Sequence, residues 1–551
     1  MGEEVAVASA LAPQVARRRV AAVVLPELLE ELAVGHAGPP TPGPRGVVVV
    51  EQHAEPNELA ATALLDGANA AARRLGVRKG QTLNEARALA SRLIVHQVSR
   101  DQITAALGRV AEAALGFGAT VAIEVSGLAA ADASVPDTVW VEVGGSAHLF
   151  GGESALLTQL GSVVRGMGHV TRVAAAEGPR LARALARWSA AAKSPQVQRA
   201  LDTPGQVAAL PVAGLPLPQE QVSWLVRLGI LTWGDLAELP RASAAARLGE
   251  HSSEVLDLCA GRDPLPLLAY EPARVLEEVA SFDDALSGSQ PLLFALRGLV
   301  YRLSARLAGR GEAAQELTLQ LHHDAGVARF RRVAPLTELG FELASPLWRE
   351  EELFRVIVSR LERTELLAPT AEMRLLVPVI TRAVTQQLEL GRVASGLVAP
   401  RFEALPVLLA ELAADVGKQQ VGVLECVDAH RPEAKSRLVS LLGGARRARR
   451  PRRRAQQQEL RLVNEPTRLF SPPVPLQTDL RVGATLTLGH ELYSIERLSF
   501  EYRLDGTEWW SAYGARRDYL RLWLAGATGG IEALVFVDRK TGERFLQAIV
   551  D

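Results

Sequence analysis

Apolar residues recur with two different periods along this chain, and the change of period divides it into regions. Short, mainly apolar runs at 20–25, 46–51 and 139–143 predict buried strands. Apolar positions at helical spacing predict helices at 291–307 and 350–364, while alternation predicts strands at 316–322 and 373–380. Thr82 and Glu85 form a capping-box signature ahead of a helix at 86–93. The combination predicts a multidomain α+β protein with a β-rich C-terminal end.

Residues 276–385 have the clearest element order. They predict a βαββαβ unit, a split βαβ arrangement: strand 276–282, helix 291–307, strand 316–322, turn 323–326, strand 327–333, helix 350–364 and strand 373–380. On the predicted return strand 327–333, Arg329 and Arg331 share one face. Spaced arginines on a sheet can bind a phosphate backbone, although a solvated polar face explains them equally well.

Turn-forming residues and composition shifts mark the other boundaries. The predicted regions are a flexible tail (1–18), an α/β region (19–200), a helical region (201–275), the βαββαβ domain (276–385), a helical connector (386–442), an arginine-rich linker (443–458) and a β-rich C-terminal domain (459–551).

Composition restricts the function classes. With 48% hydrophobic and 22% charged residues, the chain resembles an ordinary globular protein. Its net charge of −1 means that any attraction to nucleic acid must be local. Cys259 and Cys426 form no metal or redox motif, which is typical of a reducing cytoplasm, and no apolar run is long enough to span a bilayer. We therefore expect a cytoplasmic protein without a cofactor or a resident metal.

Three segments, at 71–89, 135–153 and 225–240, resemble the Y-family (UmuC-like) translesion DNA polymerases in sequence and in order. The resemblance implies palm, fingers and thumb domains followed by a little finger, the βαββαβ domain. It also implies that the strands at 20–25 and 139–143 are neighbours in one sheet. In that family the first strand carries h-D-x-D-x-F, and the later strand carries S-I-D-E-A-F-L-D.

The metal-binding positions of this motif hold unsuitable residues. The first-strand acids fall on Val24 and Pro26, the Asp-Glu pair on Asp137 and Thr138, and the last Asp on Glu142. Polymerases hold two divalent cations between carboxylates, whereas valine offers no ligand and threonine only a neutral hydroxyl. The resemblance therefore implies a polymerase fold that has lost its catalytic residues.

Two alternatives keep an active site. A shifted alignment would bring in Glu27, Asp132 or Asp137 as a ligand. A rearranged set of Glu27, Asp137 and Glu142 would give an active, low-fidelity Y-family polymerase.

The predicted thumb has also lost a phosphate contact. In the family, backbone N–H groups of a G-I-G turn bind DNA phosphate at a helix N-terminus. That turn falls on Pro216, Leu217 and Pro218, and proline has no N–H to donate. Weak binding of primer-template DNA is still expected at six arginines: Arg73, Arg74, Arg329, Arg331, Arg446 and Arg447.

The C-terminal segments HRPE (430–433), LSFEYRLDGTEWWSAYGARRDYLRL (498–522) and GERFLQAIVD (542–551) narrow the resemblance to ImuB-type proteins. These are Y-family homologues of bacterial mutagenesis cassettes. The resemblance implies a non-catalytic adaptor that links the sliding clamp, a RecA-like ImuA protein and an error-prone DnaE-class polymerase. Exposed partner-binding anchors with a charged rim are predicted at Trp509, Trp510, Tyr513, Arg517, Asp518 and Tyr519, unless the tryptophans fill a small β core.

A clamp-binding motif is predicted directly after the little finger. The family motif is Q-L-x-L followed by an aromatic residue, and Gln387, Leu388 and Leu390 supply its first part. Gly391 stands where the aromatic anchor belongs. The motif is therefore predicted to be correctly placed but incomplete.

Overall fold

The structure, a computed structural model of the chain, describes residues 18–35, 43–51, 59–124, 135–188, 204–383, 408–409, 411–413, 416–417, 419–427, 429–440, 468–488, 491–507, 515–527 and 529–550. The chain forms two compact units, Met1–Asp415 and Val416–Asp551. Within the described ranges, no helix is both long and apolar enough to cross a membrane.

The first 188 residues alternate strands and helices: β1 (Val20–Val24), α1 (Leu28–Val34), β2 (Arg45–Val50), β3 (Gly67–Ala68), α2 (Ala70–Arg74), α3 (Leu83–Leu89), β4 (Ile94–Ser99), α4 (Arg100–Ala114), β5 (Val121–Ile123), β6 (Thr138–Glu142), α5 (Glu153–Gly166), β7 (Arg172–Ala176) and α6 (Pro179–Trp188). Four strands form an antiparallel sheet in the order β5–β6–β1–β7, which we call the central sheet. The predicted neighbourhood of β1 and β6 is confirmed, since Val20 lies opposite Glu142 and Val24 opposite Thr138.

Both faces of the central sheet are buried, which explains the unbroken apolar run of β1. Val20, Ala22 and Val24 pack into a core shared with α6 and with the helical region that follows it. Ala21 and Val23 pack on the opposite face, against α4 and α5. A strand covered on both faces has no solvent side, so its sequence shows no polar alternation.

A second, smaller sheet joins β2, β3 and β4, with β2 parallel to β4. The predicted capping box is confirmed, because Thr82 accepts a hydrogen bond from the Glu85 N–H and Glu85 accepts one from the Thr82 N–H. The helix that it begins is α3, which ends at Leu89 rather than at the predicted residue 93.

Residues 204–261 are helical, as predicted. They contain α7 (Pro204–Ala208), α8 (Gln219–Arg227), α9 (Trp233–Ala237), α10 (Arg241–Leu248) and α11 (Ser252–Cys259). Trp233 is buried, and its indole N–H donates to the Pro211 carbonyl oxygen at 3.0 Å. Most of the buried apolar residues of these helices join the α6 side of the central-sheet core, so the helical region and the central sheet form one packed body.

The βαββαβ domain has the predicted order of sheet strands and covering helices, with one added helix. Its elements are β8 (Leu276–Leu286), α12 (Ser289–Arg310), β9 (Glu312–His323), α13 (Ala325–Arg331), β10 (Leu336–Leu347), α14 (Glu350–Leu361) and β11 (Thr370–Arg382). The antiparallel sheet has the order β10–β9–β11–β8, and its apolar face packs against α12 and α14. Among the described residues, the helices α12 and α14 pack on this face only, and the other face of the sheet is partly exposed.

The predicted return strand at 327–333 is wrong. Those residues lie on and just after α13, and the return strand is β10. The cause is Asp324, whose carboxylate accepts a hydrogen bond from the Val327 N–H at 2.8 Å and so caps a short helix. Arg329 and Arg331 therefore do not share a sheet face, since residues two apart on a helix point in different directions.

The second unit is mostly β-structure. It contains β12 (Gly422–Cys426), β13 (Ser436–Ser440), β14 (Arg468–Leu476), β15 (Thr485–Leu488), β16 (Glu491–Thr507), β17 (Ala515–Gly526), β18 (Gly529–Asp538) and β19 (Arg544–Val550). β12 and β13 form a hairpin, and the rest form a sheet in the order β14–β19–β18–β17–β16–β15. The hairpin corrects only the C-terminal part of the predicted helical connector at 386–442, because the described residues 408–409, 411–413 and 416 are helical.

Candidate functional site

Two of the positions predicted to replace the metal-binding acids of the Y-family motif, Val24 and Thr138, meet at one end of the central sheet. Val24 and Thr138 lie directly opposite each other on β1 and β6, and both are fully buried. Arg172 of β7 lies on the other side of Val24. Val24 is therefore flanked by a hydroxyl and a guanidinium rather than by carboxylates. Pro26 follows the strand and is exposed.

Glu142 is not part of this cluster. It lies at the opposite end of β6, beside Val20, and its carboxylate faces the Arg18 guanidinium at 3.5 Å. At about 3.3 Å per residue, the ends of β6 are about 13 Å apart. Asp137 and Glu142 therefore cannot hold the same cation pair, and the rearranged ligand set of the alternative hypothesis is not brought together.

Asp137 is the one acid of the motif that lies beside Thr138, and arginines surround it. Its carboxylate accepts hydrogen bonds from Arg187 at 2.7 Å and from the Thr138 hydroxyl at 2.8 Å. Arg183 donates to the Thr138 hydroxyl at 3.0 Å and lies 3.5 Å from Asp137. Its guanidinium also pairs with buried Glu124 at 3.1 Å, and Glu124 accepts from the Asp137 N–H.

The placement of α6 explains how two arginines reach this cluster. The Trp140 indole N–H of β6 donates to the Pro179 carbonyl oxygen, and the buried Asp263 carboxylate accepts from the Arg180 N–H at 2.6 Å. These contacts fix the N-terminus of α6 over the sheet. Arg183 and Arg187 are four residues apart, so both face the same side of the helix.

The electrostatics of this cluster do not suit a two-cation site. Burial raises the pKa of Glu124, and the Arg183 guanidinium opposes that rise. The carboxylates present are already neutralised by guanidinium groups, and a further divalent cation would meet like charge. Valine and threonine supply no replacement carboxylate. These residues do not fit the pair of Mg²⁺ ions that the family implies.

Glu124, Arg183 and Arg187 were not found from the sequence. The available signal was the spacing R-x-x-R-x-x-x-R at 180–187 in a helix that follows a buried strand. That spacing places three arginines near one helix face, but it does not show that the face meets the central sheet.

The predicted thumb turn precedes α8, which begins after Pro218. The Leu217 N–H, the one donor left between Pro216 and Pro218, already donates to the Leu215 carbonyl oxygen at 2.8 Å. The turn lines a cavity of about 220 Å³ that Arg183 and Arg187 also line. Because its backbone donors are missing or used internally, the turn does not offer the family's phosphate contact.

The candidate DNA-binding arginines do not converge. Arg73 and Arg74 are exposed on α2, and Arg73 is bound to Glu30 of α1 at 2.9 Å. Arg329 and Arg331 lie on α13 of the βαββαβ domain. Arg446 and Arg447 lie outside the described residues, as do the clamp-motif residues Gln387, Leu388 and Leu390.

Of the predicted partner anchors, Tyr519 belongs to the packed interior of the second unit, while Arg517 and Asp518 are partly exposed and held in ion pairs. Tyr519 is fully buried, and its ring stacks on the Tyr502 ring with 4.7 Å between the ring centroids. The expectation that Tyr519 is exposed is therefore wrong. Arg517 lies over the Phe536 ring and pairs with Glu433 at 2.8 Å. Asp518 pairs with Arg503 at 2.6 Å.

The remaining predicted anchors, Trp509, Trp510 and Tyr513, lie outside the described residues. The placement of Tyr519 supports the core explanation for that aromatic residue. The partner-binding role of Trp509, Trp510 and Tyr513 stays a prediction.

Residues 44–187 match the impB/mucB/samB (IMS) family. The matching region contains Asp137, Thr138, Arg183 and Arg187, while Val24 lies before it. Over 254 residues, the chain is 29% identical to Protein ImuB from two strains of Caulobacter vibrioides, covering 45% of this chain and 51% of that protein. The chain thus spans about half the length of the curated relatives it matches.

Solved Y-family polymerases are also similar. DinB from Sulfolobus solfataricus shares 13% identity with a TM-score of 0.34, covering 66% of this chain and 100% of that one. A post-insertion binary complex of Dbh DNA polymerase shares 13% identity with a TM-score of 0.36, covering 65% and 98%. Scores this low add no detail to the geometry described above.

Proposed function

We propose that this protein is a non-catalytic, polymerase-like adaptor in damage-induced mutagenic translesion DNA synthesis in the cytoplasm. The proposal is supported by the pairing of Val24 with Thr138, which align with metal-binding acids of the Y-family motif, and by the binding of the neighbouring Asp137 to Arg183 and Arg187. Two-metal phosphoryl transfer needs carboxylates free to hold cations, and this cluster has none to spare.

The partners follow from the similarity to ImuB. We propose that the chain links the sliding clamp, a RecA-like ImuA protein and an error-prone DnaE-class polymerase, which performs the synthesis. The fold of an impB/mucB/samB domain would contribute a scaffold and weak primer-template contact rather than chemistry. The altered thumb turn supports weak contact, because its remaining N–H is used internally.

Lesion bypass in a reconstituted reaction tests this adaptor role. A DnaE-class polymerase, the clamp and a damaged primed template are incubated with and without this protein. We expect bypass to increase when the protein is added, and to increase equally with the Asp137→Ala variant, because the adaptor does not use that carboxylate for chemistry. Loss of stimulation with Asp137→Ala, in a variant that stays folded, would point to catalysis by this chain instead.

The clamp contact is tested separately. Replacing Gln387, Leu388 and Leu390 together by alanine should weaken clamp binding at least about tenfold, because both leucines would lose the apolar area that they bury in the clamp groove. Surface plasmon resonance against immobilised clamp measures the change, with Gln386→Ala as the neighbouring control. Unchanged affinity would place the clamp contact elsewhere.

A further inference from the structure

The turn between β9 and β10 exposes an aromatic side chain among arginines. Phe330 is 88% exposed, more than any other described large apolar residue. Arg329, Arg331 and Arg332 surround it in sequence, and all three are exposed. We call residues 329–332 the basic tip. A single exposed phenylalanine is common on protein surfaces. Flanked by exposed arginines, however, Phe330 offers a stacking face beside positive charge.

The basic tip is held in place by the domain beneath it. Ala328 is buried, and Asp324 caps the start of α13. The Arg331 guanidinium group donates to the Leu367 carbonyl oxygen at 3.1 Å. Arg332 ends the helix with φ at 57°, the only positive φ at a non-glycine residue among those described. A left-handed arginine costs about 1 kcal/mol, and such strain clusters at functional positions.

The charges of the basic tip are available to a ligand. Within the described residues, no carboxylate pairs with Arg329 or Arg332. Other arginines of this domain are engaged: Arg302 pairs with Glu278 at 2.8 Å, and Arg374 pairs with Glu372 at 2.5 Å. The tip therefore offers positive charge that has not been neutralised locally.

The sheet beside the tip is unsuitable for a phosphate backbone. The strand register and burial place five acids and one arginine on its uncovered face: Glu277, Glu316, Glu338, Glu342, Glu372 and Arg374. Glu316 and Glu342 even lie directly opposite each other, a repulsive pair. This face repels phosphate, so the domain can attract a polyanion at the tip but not across its sheet.

We propose that the basic tip binds single-stranded DNA. Phe330 stacks on one unpaired base, and Arg329 and Arg332 contact the phosphates beside it. Stacking on an aromatic side chain needs a base face that is free, and bases inside a duplex are already stacked on each other. This preference separates the site from the weak primer-template contact above, and it does not depend on whether the central sheet is catalytic.

Fluorescence anisotropy with a labelled oligothymidine and with a duplex of equal length tests the proposal. The background carries serine at the arginines between 446 and 454, which removes their sequence-independent binding. Phe330→Ala should weaken single-strand binding about tenfold with little change in salt dependence. Arg329→Gln with Arg332→Gln should weaken it too and reduce the logarithmic salt slope by about 1.4, since each phosphate contact contributes about 0.7.

Phe294→Ala is the matched control. Phe294 is 82% exposed in the same domain, on α12, and its loss should leave single-strand affinity within about twofold of the parent. Equal weakening by the two phenylalanine variants would overturn the proposal, as would equal loss of duplex and single-strand binding on Phe330→Ala. Unchanged single-strand affinity after Phe330→Ala would overturn it as well. An acidic peptide that displaces the oligothymidine only when Phe330 is present would identify a protein partner instead.

Discussion

At the residue scale, Asp137 has a structural role beside the central sheet. Its carboxylate is mostly buried and binds Arg187 and the Thr138 hydroxyl, so it joins α6 to the central sheet. A buried acid in this setting stabilises the fold only while its partners remain. Removing one partner of such a pair leaves the other charge desolvated.

Asp137→Ala is therefore expected to lower the free energy of unfolding by about 2–4 kcal/mol. Glu142→Ala is the control on the same strand, and its partly exposed pair with Arg18 predicts a loss of less than about 1 kcal/mol. Urea unfolding followed by circular dichroism measures both. Equal losses would contradict the structural role of Asp137.

Cys259 gives a pH-dependent prediction at the same scale. Burial raises the pKa of its thiol to about 12, from an ordinary value of about 9. The thiolate is therefore rarer in the folded chain, and in a Cys426→Ser background a thiol reagent at about pH 8 should modify the native protein roughly a thousandfold more slowly than the unfolded one.

The same pKa shift makes the stability of the folded chain depend on pH. Because the folded pKa of Cys259 is the higher one, its contribution to stability is fully present below about pH 9 and is lost as pH rises toward 12. Comparable native and unfolded modification rates would show that the thiol is not buried.

The alignment to the Y-family motif predicted that Val24 and Thr138 replace metal-binding acids, because this prediction needs only the local order of residues. It could not predict Arg183 and Arg187. Their role depends on Asp263, 83 residues after Arg180, which binds the start of α6 and aims the helix at Asp137. Arginines at helical spacing usually face solvent, and only this long-range contact places them otherwise.

At the scale of elements, the close packing of α12 on α4 joins the βαββαβ domain to the region of the central sheet. Arg306 of α12 binds Glu112 of α4 at 2.8 Å and Glu278 of β8 at 2.6 Å, all buried. The Arg302 and Arg306 guanidinium groups overcome the effect of burial and lower the pKa of Glu278. Gly309 lies against the Glu112 and Ala113 carbonyl oxygens, where a Cβ has no room.

Gly309→Ala should force these helices apart and lower the free energy of unfolding by about 1–3 kcal/mol. Gly298→Ala is the matched control on α12, because its Cβ would meet only the Arg302 side chain at 3.5 Å. That change should be neutral or stabilising by up to about 1 kcal/mol, as is usual for glycine inside a helix. Thermal unfolding distinguishes them, and identical shifts would mean that α12 and α4 are not tightly packed.

The hydrophobic periods predicted most strands and both long helices of the βαββαβ domain, but not β10, α13 or the packing of the domain. Alternation identified β9, and helical spacing identified α12 and α14, because one apolar face suffices to specify each. The error at 327–333 came from Asp324, whose helix-capping contact outweighs a short apolar-polar alternation. The packing of α12 on α4 depends on glycines and buried ion pairs that no local pattern specifies.

At the scale of the whole molecule, the chain separates at residue 415 rather than near the arginine-rich segment. Glu433, just before β13, pairs with Arg517 of β17, so the hairpin belongs to the second unit. Ending the chain at Asp415 should keep the first unit folded, with a cooperative thermal transition, and should abolish capture of the ImuA-like and DnaE-class partners. Capture of both at full strength would show that the second unit is not their platform.

Primer extension by the purified full chain tests the central claim, that this chain performs no nucleotide transfer. The reaction contains a primed template, all four deoxynucleotides and Mg²⁺ or Mn²⁺, with Asp137→Ala and Glu142→Ala run beside the parent. We expect no product above the protein-free background for any of the three, because Val24 and Thr138 supply no metal-binding carboxylate and Arg183 and Arg187 surround Asp137. Extension by the parent that disappears with Asp137→Ala would contradict the account.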